Sequence, residues 1–208
     1  MPIWKTVNKS EIGFLNDLSD AIAMLEARDP GILTSVDDSS MWIASDYSGQ
    51  HREAAFEAYA FLVTRANSLR AWNRQRIDFR AKCPPDGRRI SFKDLRESMR
   101  WRALKPFLAI TDDLQGNLIV VVIDKRFTSL FKERGPAIST DLPETFPDGT
   151  SNAVVDKTLR LGTVLSLLLA GLRQESQPAT WISDQDEALE HYDRRERLGE
   201  FVSYTRAA

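Results

Sequence analysis

Met41-Trp-Ile-Ala-Ser-Asp46, followed by Tyr47-Ser-Gly-Gln-His51 and the run Ala54 to Thr64, is the stretch that decides the fold. The first segment is short, apolar and closed by an acid, which predicts a buried strand ending in a carboxylate. The second is turn-like, and the third carries the aromatic and β-branched residues of a strand, so the whole predicts a hairpin. Three further segments share the apolar-then-acidic form or set an acid at a helix start: Ile90-Ser-Phe-Lys-Asp94, Ile119-Val-Val-Val-Ile-Asp124 and Thr180-Trp-Ile-Ser-Asp184. An apolar strand that ends in Asp delivers negative charge to the rim of a sheet, where divalent cations can be gathered.

Outward from these segments the chain alternates strand and helix. Arg88 to Lys93 reads as a third strand, and Asp94 to about Leu114 as a helix that Pro106 could kink or divide. Leu118 to Ile123 is apolar on both faces, which predicts a central strand. A short helix around Thr128 to Glu133 and an irregular excursion from Gly135 to Ser151 follow. A long buried helix covers about Asn152 to Gln174, a last strand Ala179 to Ser183, and a terminal helix Gln185 to Tyr204. Before all of these, residues 1–35 read as an added N-terminal helical extension, capped by Ser10, with Ile12, Leu15, Leu18, Ile22 and Leu25 on one side. That helix either packs on the domain, residues 36–208, or offers a surface to a protein partner.

Composition narrows the function classes. The chain of 208 residues has a hydrophobic fraction of 42% and a formal net charge of -2, an ordinary globular balance with no overall basic excess. The charge is uneven, however. Arg65 to Lys105 is rich in Arg and Lys, whereas Asp184 to Glu200 is mostly acidic, and a local basic face can hold phosphates on a neutral molecule. The single Cys83 excludes an internal disulfide and a cysteine cluster, and two histidines, His51 and His191, argue against a zinc site. The start Met-Pro-Ile-Trp-Lys has no apolar signal region, and the longest charge-free apolar run, Leu161 to Leu172, is too short to span a bilayer. A cytoplasmic protein without a membrane partner is the expectation. Absence of a glycine-rich Lys-Ser/Thr loop excludes a P-loop enzyme.

The order of strands and helices is that of the ribonuclease H-like fold: three antiparallel strands in a meander, then parallel crossovers, giving a mixed five-stranded α/β sheet flanked by helices. Trp42-Ile-Ala-Ser-Asp46-Tyr-Ser48-Gly49 resembles the Asp-Glu-Ser-Gly first-strand motif of a bacterial family of ribonuclease H-like proteins of unknown function. Tyr47 stands where that motif has its second acid, and Ser91-Phe92-Lys93 where the family has an acidic residue on its third strand. The resemblance implies a nuclease that hydrolyses phosphodiester bonds with two Mg²⁺ or Mn²⁺ ions. It implies Asp46, Asp94, Asp124 and Asp184 as catalytic acids, with Glu97 an alternative to Asp94. Asp46, Asp124, Asp184 and Asp186 would ligate the metals, and Lys93 and Lys125 would contact substrate phosphates. RNA or DNA is the implied partner.

Each residue also has a plainer reading. Asp46 could cap a hairpin turn, and Asp124 and Asp184 could start helices. Trp72 with Arg70, Arg74 and Arg76 interleaves aromatic and basic residues as nucleic-acid grooves do, but an amphipathic helix gives the same pattern. A ribonuclease H-like binding or assembly module without catalysis is therefore the alternative. A sugar-kinase-like or actin-like nucleotide binder ranks last, because it needs two similar lobes and glycine-rich phosphate loops, and the chain holds only 10 glycines.

Overall fold

The computed structural model describes residues 3–7, 13–49, 51–83, 95–126 and 152–183. Eight elements run through them: α1 (Gly13–Arg28), β1 (Met41–Ser48), β2 (Phe56–Arg65), α2 (Ala66–Lys82), α3 (Ser98–Thr111), β3 (Gly116–Asp124), α4 (Asn152–Leu172) and β4 (Ala179–Ser183). The strands form one mixed sheet in the order β3-β2-β1-β4. β1 and β2 pair antiparallel, with Asp46 opposite Ala60, and β2 pairs antiparallel with β3, with Ala60 opposite Val120. β4 lies parallel to β1 on its free side, setting Ser183 beside Ser45.

The hairpin is present, but its first strand is longer than the sequence predicts. Tyr47 and Ser48 continue the ladder, so Asp46 lies inside β1 and not at its end. The turn begins at Gly49, whose positive φ of 82° is one that side chains disfavour. A Cβ there would also run into the Phe56 carbonyl oxygen, so the chain can reverse at this point because the residue is glycine.

Among the described residues the strongest apolar segment is not central: Gly116–Asp124 stands at the edge of the sheet they form, bonded to β2. Its apolar residues alternate between two environments: Val121 and Ile123 are buried, whereas Leu118, Val120 and Val122 are exposed. A strand with one covered and one open apolar face has the same sequence as a strand buried on both faces, and the expectation of a central position fails for that reason. The expected strand at Arg88 to Lys93 lies outside the described residues, as do the short helix around Thr128 to Glu133, the excursion from Gly135 to Ser151 and the terminal helix Gln185 to Tyr204. α3 runs through Pro106 without dividing. Pro106 is exposed, so the carbonyl it leaves unpaired can turn toward water.

One face of the sheet carries the core. Ile43, Tyr59, Phe61, Val63, Val121 and Ile123 meet Leu161, Val164, Leu165, Leu168 and Leu172 of α4, with Ile22 of α1 and Trp4 in the same cluster. The helix that reads as apolar nearly all round is buried for that reason. The N-terminal residues are stitched into this core. The buried Glu26 carboxylate accepts the backbone N–H groups of Ile3 and Trp4, at 2.5 and 3.0 Å. The Lys5 N–H donates to the Gly171 carbonyl at 2.9 Å. The Trp4 ring lies flush on Gly171, where any side chain would collide with it. Residues 3–7 and α1 therefore share the core of the sheet, and α1 packs against α4.

α2 and α3 form an antiparallel helical hairpin inserted between β2 and β3. Phe79 and Phe107 meet with ring centroids 5.8 Å apart, and Gln75 donates to Asp113 at 2.9 Å. Asp38 accepts the Asn67 N–H at 3.0 Å and so caps α2 from a neighbouring loop; that bond to the backbone holds its carboxyl below the usual range. Among the described residues no helix is long and apolar enough to cross a membrane.

Candidate functional site

Of the sequence-predicted acids, Asp46 and Asp124 are described, and both sit on the open face of the sheet. Asp46 is exposed, and its Oδ1 accepts the Tyr47 N–H at 3.0 Å. Asp124 ends β3 and is gripped by Arg126. The guanidinium Nε donates to both carboxylate oxygens, at 3.0 and 2.9 Å, and Nη2 donates to Oδ2 at 2.6 Å. That side-chain bonding, with the Arg126 N–H as a second donor, holds the Asp124 carboxyl below its ordinary range.

The structure does not bring these two acids together. Val120 is in line with Asp46 across β2, and Asp124 lies four residues further along β3. Two strand spacings and four residues of rise separate their Cα atoms by about 16 Å. Two cations about 4 Å apart cannot be shared over that distance. Among the described residues no group of three or more His, Cys, Asp or Glu is placed to hold a metal ion. Lys125 is also committed elsewhere: its Nζ donates to the His51 carbonyl at 2.7 Å and its N–H to the Ala55 carbonyl at 3.0 Å. It braces the β1–β2 turn. Lys93, Asp94, Asp184 and Asp186 lie outside the described residues. Glu97 precedes α3 and pairs with the buried Arg100 at 3.1 Å.

The carboxyl ends of β1 and β4 hold a polar arrangement that the sequence reading missed. On the covered face, the Tyr47 hydroxyl shares hydrogen bonds with Ser45 at 2.7 Å and with Ser183 at 2.9 Å, and the Trp181 indole N–H donates to Ser45 at 2.9 Å. Tyr47 meets Tyr59 edge to face, with centroids 5.8 Å apart. Tyr59 donates to Glu57 Oε2 at 2.7 Å, and Arg160 of α4 pairs with Glu57 at 3.2 Å and with Asp156. Burial first, and the bond to Glu57 second, push the Tyr59 phenol well above its usual range, so it remains neutral and donating at any physiological pH. The cluster clamps α4 to β2 and fixes the strand ends. Its one legible signal is the charged pair Asp156 and Arg160, one helical turn apart in a helix whose only other charge is Lys157.

The α2–α3 hairpin concentrates positive charge. α2 carries Arg70, Arg74, Arg76, Arg80 and Lys82 against Asp78. Arg96, Arg100, Arg102 and Lys105 stand on or just before α3, against Glu97. Arg76 lies over the Trp72 ring at 5.6 Å from its centroid, so this aromatic–basic pair is engaged within the hairpin. Trp101, by contrast, is 63% exposed. No family model, no curated protein and no solved structure matches this chain.

Proposed function

We propose that this chain is a ribonuclease H-like protein that acts on nucleic acid, hydrolysing phosphodiester bonds with Mg²⁺ or Mn²⁺ at the carboxyl ends of β1 and β4. The observation that carries this reading is the pairing of those strands. They are parallel neighbours, and β1 is flanked on its other side by an antiparallel meander with β2 and β3. A ribonuclease H-like order accommodates this pairing, with Gly116–Asp124 in place of Arg88 to Lys93 as third strand of the meander and Ala179–Ser183 as the parallel strand that follows. In such proteins acids lie on the first strand and at the end of the fourth. Those places are Asp46, one residue beyond Ser45, and Asp184, joined directly to Ser183, the register partner of Ser45. Functional groups of open α/β sheets collect beyond such neighbouring carboxyl ends.

The residues fit a hard cation unequally. Asp46 presents an exposed carboxylate with a hard oxygen free for coordination, whereas the Asp124 oxygens are occupied by Arg126. Asp46 and Asp184 would therefore hold the cation, and Asp124 drops out of the proposed ligand set. When bound, the cation would activate water and stabilise the leaving oxygen. The chain's own contribution is positional. The Tyr47 N–H orients the Asp46 carboxylate, and the Tyr47–Ser45–Ser183 bonds lock the two strand ends in register. Mn²⁺ titration by calorimetry tests this: binding in the native chain, lost in both Asp46→Asn and Asp184→Asn, is expected. Binding retained in Asp46→Asn would overturn the site.

A second reading, a binding or assembly module without catalysis, is favoured by the Asp124–Arg126 pair, which holds an acid at a strand end as a neutralised ion pair. It predicts that the native chain takes up no Mn²⁺ with or without an oligonucleotide present.

A further inference from the structure

We infer that the far end of the α2–α3 hairpin is a single-strand nucleic-acid grip, in which Lys82, Arg102 and Lys105 hold phosphates and Trp101 stacks a base. The inference rests on the nucleic-acid reading above and is independent of the cleavage site. It starts from helix register. In two antiparallel helices, the contacts Phe79–Phe107 and Gln75–Asp113 set Lys82 level with residues just after Ala103. Lys82 therefore stands at the height of Arg102 and Lys105, at the end of the hairpin away from the sheet, which α2 leaves at Arg65 and α3 rejoins through Gly116.

All three cations are exposed, and none takes part in an ion pair among the described residues. Glu97 is spent on the buried Arg100, and among the described residues no ion pair joins Asp78 to Lys82 although they stand one turn apart. A chain of net charge -2 thus exposes cations without ion-pair partners at one end of this hairpin. Polyanions are attracted to such a field. Trp101 stands one turn from Lys105 on α3 and is 63% exposed. An exposed indole among unpaired cations gives the combination that single-strand binders use, in which cations track the backbone and a ring face takes a base of any sequence. A base in a duplex keeps its faces stacked on its neighbours, so the ring selects single strands. A nucleic acid fits better than an acidic protein because each of its nucleotides carries both a charge and a flat ring face.

Fluorescence anisotropy with labelled oligothymidylate and oligouridylate of about 16 nucleotides tests the grip. Arg102→Glu with Lys105→Glu should weaken binding at least about tenfold and flatten the salt dependence between about 50 and 200 mM. Trp101→Ala should weaken it by about fivefold or more without changing the salt slope. Arg70→Glu with Arg74→Glu, at the sheet end of the hairpin, serves as the charge-matched control and should retain most of the affinity. The variants are compared only where circular dichroism melts match the native chain. Binding by the native chain without cleavage in the presence of Mn²⁺ would refute the phosphodiesterase and leave the grip standing. Unchanged affinity in the folded Arg102→Glu, Lys105→Glu variant would overturn the grip, as would no binding by the native chain. Equal affinity for a duplex of the same length would overturn the single-strand assignment.

Discussion

The two faces of the sheet are made of similar residues and live in different solvents. Phe61 and Phe56 stand on the same strand, β2; the first is fully buried and the second is 54% exposed. Val121 and Val122 are neighbours on β3, with exposures of 6% and 60%. Composition cannot explain the difference. What separates the faces is α4, whose leucines cover one side while the row Leu118, Leu62, Ala44 and Ile182 crosses the other. The covered face stores the stability of the domain. The open face stores little, and Asp46 stands on it.

The largest difference between the faces is expected when the same side chain is cut on each. Phe61→Ala should cost about 3–5 kcal/mol in chemical denaturation, through lost burial and the cavity left behind. Phe56→Ala should cost less than about 1 kcal/mol. Equal losses would mean that the open face is covered in solution.

A smaller effect is expected where polar groups bind the covered face. Arg160→Met leaves Glu57 and Asp156 without their shared cation and should destabilise by about 3 kcal/mol. Adding Glu57→Gln should recover part of that loss, measured as a coupling in a double-mutant cycle. Full additivity would show that the clamp is not a cooperative unit.

Smaller still is the contrast within β3. Val121→Thr should lose about 1–2 kcal/mol by burying a hydroxyl, whereas Val122→Thr should shift stability by less than about 0.5 kcal/mol. The smallest effect concerns charge. Asp124 is held below its ordinary range by Arg126, so any stability it lends is present above the unfolded carboxyl range near pH 3.9 and fades as pH falls through the lower folded value. The Arg126 side of the pair is 91% exposed, so Arg126→Gln should leave the melting curve nearly unchanged at neutral pH. The same variant should raise the Asp124 titration midpoint in carbonyl NMR, and an unmoved midpoint would show that the pair does not persist in solution.

Much of the fold is readable from local pattern. Ala179–Ser183 is a strand with the bounds its sequence predicts, and the helix from Asn152 is buried as its apolar surface demands. The β1–β2 hairpin follows from alternation and a glycine turn. The misreadings share one cause, which is that the deciding contacts are remote in sequence. Whether Leu118 to Ile123 is central or marginal depends on which strands pair, and among the described residues β2 is its one partner. Asp46 reads as a strand end because Tyr47-Ser-Gly looks like a turn, yet Tyr47 stays in the ladder opposite Tyr59 and its hydroxyl bonds Ser183. Glu57 and Arg160 are 103 positions apart, so neither residue announces the other.

The parallel neighbour of β1 has a consequence in time. Met41–Ser45 waits for Ala179–Ser183 to complete its pairing. During synthesis at about 5–20 residues per second, that interval is on the order of ten seconds. Through it the β1–β2 hairpin exists with one edge bare and no α4 to shelter Ile43 or Phe61, so the nascent chain is at its stickiest well before it is finished. Slow translation between residues 65 and 179 would lengthen that exposure, and a chaperone that shields strand edges would act on this hairpin first.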